Sequence, residues 1–119
     1  MARAPFLEAI DQRVLVCDGA MGTMLYAKGI FLNRSFDELN LTEPDLVTAV
    51  HQEYVRAGAD VIESNTFGAN RIKLGTFGLS AQVQAINAQG AKLARHAGDF
   101  SRKSARSTEV TEFTTKERR

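Results

Sequence analysis

Val14-Leu15-Val16-Cys17-Asp18-Gly19-Ala20-Met21-Gly22-Thr23 is the stretch whose reading decides the fold. Its four leading residues are apolar, three of them Val or Cys, and read as a short buried strand. The strand stops on a carboxylate, and Gly19 and Gly22 follow at once. An acid at the end of a buried strand, beside backbone that glycine permits, is how α/β enzymes place a substrate-gripping group. A second stretch, Asp60-Val61-Ile62-Glu63-Ser64, ends the same way in Asn65-Thr66-Phe67-Gly68-Ala69-Asn70. Two strands that finish in polar, glycine-bearing loops point to one shared face for a ligand.

Length and composition bound what surrounds this face. At 119 residues the chain has room for one small domain. Hydrophobic residues make up 44% and charged residues 24%, ordinary values for a soluble globular protein. A formal charge of +1 offers no electrostatic argument for nucleic acid or an acidic membrane surface. The single cysteine, Cys17, excludes an internal disulfide and fits a reducing compartment. No run approaches the ~18 apolar residues of a spanning helix, and no signal-peptide core opens the chain, so cytoplasm is the expected location.

The order of elements is strand, long loop, helix, strand, loop, helix. Phe6, Leu7 and Ile10 form an amphipathic turn expected to plug the bottom of a sheet. Strand one covers about 13–17. The loop from Asp18 to Asn40 is too long for a plain connector and is expected to hold minor elements. Helix one is expected over 43–57, with Thr42 as N-cap, Asp45 as its reciprocal partner and Gly58 as the closing residue. Its inward face is Leu46, Val47, Val50, Tyr54 and Ala57. A short helical stretch over 71–74 precedes helix two at 81–97, which Ser80 caps and Gly98 closes, with Val83, Ile86, Gly90, Leu93 and Ala94 facing in. Composition then changes. Residues 98–119 hold seven Ser or Thr, six Lys or Arg, four Asp or Glu and no Leu or Ile. Such a segment buries too little surface to offset its ordering entropy, so 98–119 reads as a disordered tail beyond a domain of residues 1–97. Alternating strands and helices imply parallel strands with crossover helices. Two such units leave a parallel sheet incomplete, so the expected fold is the start of something larger.

Four pieces in order carry a resemblance: Asp18-Gly19-Ala20-Met21-Gly22-Thr23-Met24-Leu25, Glu38-Leu39-Asn40-Leu41-Thr42, His51 through Asp60, and Ile62-Glu63-Ser64-Asn65-Thr66-Phe67-Gly68-Ala69-Asn70-Arg71. Together they resemble the homocysteine S-methyltransferase domain. That family includes the N-terminal part of cobalamin-dependent methionine synthase, betaine–homocysteine methyltransferase, and bacterial fusions to methylenetetrahydrofolate reductase. The likeness covers about 6–97 and is closest to the synthase and reductase-fusion branch. It implies a (β/α)8 TIM barrel of which this α/β chain supplies the first two βα units, with the site at the C-terminal strand ends. It also implies transfer of a methyl group to the zinc-bound thiolate of homocysteine, with three cysteines of later strands as ligands. Those cysteines are absent from this sequence, so no metal ligand is assigned here. Cobalamin or folate, as methyl donor, would be contacted outside these residues.

Under this resemblance Asp18 binds the homocysteine ammonium, although an Asp at this position can equally cap a turn through its own downstream backbone. Gly19, Ala20 and Gly22 let backbone N–H groups approach the substrate carboxylate; a plain structural turn is the alternative. Asn65 and Thr66 are the pocket-lining choices at the end of strand two, ahead of Glu63. His51, on helix one, reads as a surface or packing residue, His96 as a helix-end residue, and Cys17 as a small buried hydrophobe. No Walker-type Gly-Lys-Ser/Thr or Gly-x-Gly-x-x-Gly fingerprint supports phosphate or dinucleotide binding. Three functions compete. The chain is an N-terminal piece of a homocysteine methyltransferase, inactive without the rest of the barrel. Alternatively it is a non-catalytic remnant or small binding module from a truncated or frame-shifted gene. The weakest reading is another barrel enzyme using Asp18 and Glu63 as an acid–base pair.

Overall fold

The computed structural model describes residues 5–99, and the expected tail lies, from Phe100 onward, outside the described residues. The helices in chain order are α1 (Phe6–Gln12), α2 (Gly22–Ala27), α3 (Leu39–Thr42), α4 (Pro44–Arg56), α5 (Arg71–Gly75) and α6 (83–99), the last entered through a 3-10 turn at Ser80–Gln82. The long loop does hold minor elements, α2 and α3, and α5 falls on the expected 71–74 stretch.

The two expected strands are the main departure. Among the described residues they meet in a single parallel bridge between Cys17 and Val61. Val61 N–H donates to Val16 O at 3.1 Å and Asp18 N–H to Val61 O at 2.9 Å. The next backbone donors on each side go elsewhere. Val16 N–H donates to Asp60 Oδ2 at 3.0 Å, and Glu63 N–H donates to Asp18 Oδ2 at 3.1 Å. Ala59 N–H is held by Tyr54 O at 3.0 Å, in the turn that ends α4. Carboxylates therefore intercept the donors that would extend the ladder in both directions. The parallel direction is as expected, but regular strands over 13–17 and 60–64 are not formed, and two isolated parallel segments have little pairing energy of their own. Arg13 adds a two-pronged grip on Asp60, at 3.0 and 3.1 Å.

Helix α4 begins one residue later than expected and is capped differently. Thr42 belongs to α3, Glu43 takes the N-cap position without a side-chain cap bond, and Pro44 opens the helix, where its missing N–H costs nothing. The C-terminal end is as read: Gly58, at φ +109°, lets its own N–H reach Val55 O while Ala59 N–H reaches Tyr54 O. This pair of bonds is the Schellman closure, and only a residue tolerant of positive φ makes it without strain. At the other expected helix end, Gly98 lies inside α6 rather than closing it, and Ser80, the expected cap, is instead the first residue of the 3-10 turn.

The larger core cluster is Leu25, Ile30, Leu39, Val47 and Val50, with Met21, Met24, Phe36, Leu46, Tyr54 and Leu93 packed around it. A smaller one joins Ala69, Leu74 and Ile86, flanked by Leu79 and Val83. Both gather side chains from across the chain, so α4 and α6 carry their apolar faces inward much as the spacing predicts. Ala57 is exposed, however, because the helix ends before it, and on α6 Ala97 is buried as well. The amphipathic turn at the start also differs: α1 buries no residue, and Phe6, Leu7 and Ile10 are all exposed because no sheet floor lies beneath them. Cys17 is exposed rather than buried for the same reason, as are Val14 and Val16.

Candidate functional site

The bridge sets Asp18 and Glu63 side by side, and the two glycine-bearing loops leave it together. Asp18 is half-buried, with Oδ2 held by the Glu63 N–H; among the described residues nothing bonds its Oδ1. The loop that follows lies on α4. Tyr54 Oη donates to Ala20 O at 2.7 Å, and its ring passes so close to Gly19 that a Cβ there would sit 2.9 Å from Oη. Gly19 is therefore glycine for close approach, which an aromatic hydroxyl beneath the loop demands. Gly22 opens α2 against the Phe36 ring. Asp18, Gly19, Ala20 and Gly22 are thus a single short segment pinned from below by Tyr54.

The second loop is fastened more deeply. Asn65 is buried, its Nδ2 donating to Phe36 O at 2.9 Å and to Asn40 Oδ1 at 3.1 Å. Asn40, wholly buried on α3, returns the contact by donating to Asn65 O at 2.8 Å and to Ile86 O at 3.2 Å. Thr66 Oγ1 lies 2.7 Å from Ser64 Oγ, and its methyl group faces the space that Gly90 leaves open. Next along the loop, Gly68 N–H donates to buried Asp37 Oδ1 at 3.1 Å. Burial pushes the Asp37 carboxyl above its ordinary range, while the Gly68 hydrogen bond and the charge of Lys73 pull the other way. Phe67 between them is fully exposed. Asn70 then caps α5 by accepting from Lys73 N–H at 2.9 Å.

The structure therefore brings Asp18 next to the start of the Glu63–Thr66 segment and ties Asn65 into the core. Glu63 itself is exposed. Three residues of this region escape a sequence reading: Asn40, Asp37 and Tyr54 as a loop support. Asn40 and Asp37 sit in a polar stretch that resembles an ordinary helix start, and only their burial reveals them. Of the two readings of His51, surface or packing residue, the structure gives the packing one. His51 is wholly buried on α4, and among the described residues neither ring nitrogen has a hydrogen-bond partner. Burial lowers its pKa from the ordinary 6.5, and the nearby charge of Asp18 opposes that shift. His96 is exposed within α6, which continues past it to residue 99.

A zinc site of the thiolate type does not fit these residues. The sequence contains one cysteine, and among the described residues no group of three His, Cys, Asp or Glu side chains is placed to hold a metal. Among the described residues no helix is long and apolar enough to cross a membrane.

Comparison with known proteins places the chain in a family. A family profile described as homocysteine S-methyltransferase matches residues 15–112, which runs past Ala97 into the Ser/Thr-rich segment. The methionine synthases of Mycobacterium tuberculosis and Mycobacterium leprae are each 38% identical over 99 residues, covering 78% of this chain and 8% of theirs. Two crystal structures of the Escherichia coli homocysteine methyltransferase MmuM superpose at 31% identity. The metallated form gives a TM-score of 0.69 over 79% of this chain and 34% of that one; the oxidized form gives 0.73 over 83% and 35%. The chain belongs to the homocysteine S-methyltransferase family, and it spans a small part of the length of these relatives.

Proposed function

We propose that residues 1–97 are the homocysteine-gripping opening segment of a methyltransferase (β/α)8 barrel. Asp18 takes the substrate ammonium through Oδ1, backbone N–H groups of Gly19, Ala20 and Gly22 face its carboxylate, and Asn65 and Thr66 form the adjoining wall. The observation that carries this reading is the 3.1 Å bond from Glu63 N–H to Asp18 Oδ2. It fixes one carboxylate oxygen by backbone and leaves the other beside a glycine-rich loop, and a charged acceptor so oriented suits an ammonium ligand. Thiolates that could hold zinc and bring the homocysteine sulfur to its nucleophilic form must come from protein beyond these residues, as must the contacts to a folate, cobalamin or other methyl donor. Alone, the chain positions an amino acid without transferring a methyl group.

The test replaces the matching opening segment of MmuM with residues 1–97 and follows methionine formation from homocysteine. The chimera is expected to be active. Asp18→Asn in the chimera should raise KM for homocysteine far more than it lowers kcat, because the lost interaction is made in the ground state and the transition state alike. Methionine formation by the isolated chain, or an unchanged KM in the Asp18→Asn chimera, would overturn the assignment.

A further inference from the structure

Asn40 and Asn65, 25 residues apart in the chain, bind each other twice. Asn40 Nδ2 donates to the Asn65 carbonyl at 2.8 Å, and Asn65 Nδ2 donates back to Asn40 Oδ1 at 3.1 Å. The second hydrogen of each amide is committed as well, from Asn65 to Phe36 O at 2.9 Å and from Asn40 to Ile86 O at 3.2 Å. An Asn side chain carries two N–H donors, so neither amide keeps one for a ligand. The Asn65 amide therefore does not grip a substrate. The four bonds instead tie the segment before α3, α3 itself, the 65–66 loop and α6 to one another. Both side chains are buried, and in such a network breaking one bond leaves another group unpaired away from water. Thr66, next in the chain, is fixed at both branches of its side chain. Oγ1 lies 2.7 Å from Ser64 Oγ, and the methyl group lies over Gly90, one turn beyond Ile86 on α6. A Cβ at Gly90 would sit 2.7 Å from that methyl group and 2.7 Å from Asn40 Nδ2.

We propose that Asn40 is a positioning residue for the amino-acid site: without touching the ligand, it holds the Asn65–Thr66 backbone where that segment meets the part of the ligand beyond the α-carbon. The loop that begins at Asp18 takes the ammonium and carboxylate, which every α-amino acid shares. Selection among amino acids then falls to the Asn65–Thr66 wall, and a wall selects by side chain only while its backbone stays in place. This rests on the assignment of the Asp18 loop as the ammonium and carboxylate site, but the hold of Asn40 on the 65–66 loop can be measured with no ligand present.

The test compares the full chain with Asn40→Ala, which removes all three hydrogen bonds of the side chain. Amide hydrogen exchange is read first. The Thr66 and Ala69 amides, bonded to Ser64 O at 2.9 Å and Thr66 O at 3.1 Å, are expected to exchange about tenfold faster or more. The Asp18 and Val61 amides of the bridge should keep their rates and serve as the internal reference. NMR titrations with homocysteine and with glycine follow. Homocysteine should bind Asn40→Ala about tenfold more weakly than the unaltered chain. Glycine, with the same ammonium and carboxylate and no side chain, should bind both equally. Unchanged exchange at Thr66 and Ala69, exchange that rises equally in the bridge, or an equal loss of affinity for the two amino acids overturns the proposal. If Asn40→Ala does not fold, Asn40→Ser, whose hydroxyl fills part of the space, takes its place, and failure of both to fold makes Asn40 a stability residue only and overturns it too. Faster exchange confined to Thr66 and Ala69, with neither amino acid bound by the unaltered chain, upholds the hold of Asn40 on the loop and instead removes the ammonium-site assignment.

Discussion

Gly90→Ala is the sharpest probe of how the second loop is held. Gly90 lies inside α6, where alanine ordinarily stabilises a helix by up to ~1 kcal/mol over glycine. Here a Cβ would meet Asn40 Nδ2 at 2.7 Å, Thr66 Cγ2 at 2.7 Å and Asn65 O at 3.4 Å. None of these neighbours yields easily. Asn40 is wholly buried and bonded to both Asn65 O and Ile86 O, and Thr66 is tied to Ser64. Overpacking at such a site costs ~1–3 kcal/mol. Displacing the Asn40 amide leaves a buried carbonyl unpaired for a further ~1–3 kcal/mol. Against the helix gain, the net is a destabilisation of about 1–5 kcal/mol, a large share of the ~5–15 kcal/mol typical of a folded domain. The assay is urea unfolding followed by far-UV circular dichroism, with Gly98→Ala as control, because a Cβ there meets no described atom within 4 Å. Gly98→Ala should be neutral or gain up to ~1 kcal/mol. A Gly90→Ala protein that unfolds at or above the urea midpoint of the unaltered chain would refute the argument.

The remaining predictions concern metal, the buried imidazole and the exposed surface. Equilibrium dialysis against zinc should leave the chain well below one tightly bound ion, since one exposed thiol cannot make a closed or catalytic site; stoichiometric tight binding would contradict this. His51→Leu should stabilise the chain by roughly 1–2 kcal/mol near pH 7 in the same urea assay, because it removes two buried unpartnered nitrogens. The folded-state pKa of His51 is lowered by burial, so the unfolded chain takes up the proton first. Its contribution to stability is complete above pH 6.5 and is lost as pH falls through the lower folded-state value, a loss that should be absent in His51→Leu. Val14 and Val16 near the bridge and Phe6, Leu7 and Ile10 on α1 stand exposed, and the chain should therefore bind a hydrophobic dye strongly; Val14→Thr with Val16→Thr should reduce that signal without lowering the urea midpoint.

Much of this was legible from residue spacing, and the parts that were not share a cause. The inward faces of α4 and α6, the closing Gly58 and the helical turn after Asn70 follow from local rules: apolar periodicity, a residue that tolerates positive φ, and an Asn side chain that caps. Burial of Val14, Val16 and Cys17 did not follow, because a strand's burial depends on what covers it rather than on its own composition. The pairing of 13–17 with 60–64 was right in direction and too generous in extent. Alternating apolar residues say nothing about whether a neighbouring carboxylate will take the donor a ladder needs, as Asp60 and Asp18 do. At the candidate site, Asp18 and the glycines stood out by type, whereas Asn40 and His51 are ordinary helix residues in sequence and extraordinary only in burial.

Three glycines explain why the motif survives as a pattern even where regular strands do not form. Gly19 is approached by Tyr54 from α4, Gly68 by the Asp37 carboxylate, whose Oδ2 would lie 2.6 Å from a Cβ, and Gly90 by the Asn40 amide. In each case a polar side chain from a distant segment reaches backbone that must carry no Cβ. Tyr54 and Asp37 also form a hydrogen bond at or beside the glycine they approach. Contacts of this kind are more demanding than apolar packing, since a shift of a few tenths of an ångström leaves a buried donor or acceptor unpaired. They fix where the two loops stand relative to α3, α4 and α6, whereas the single bridge fixes only that the loops leave in the same direction. A ligand held between Asp18 and the Asn65–Thr66 segment would therefore owe its placement to these side-chain-to-backbone anchors more than to the sheet, and Tyr54→Phe, which removes the bond to Ala20 O while keeping the ring under Gly19, separates the two contributions.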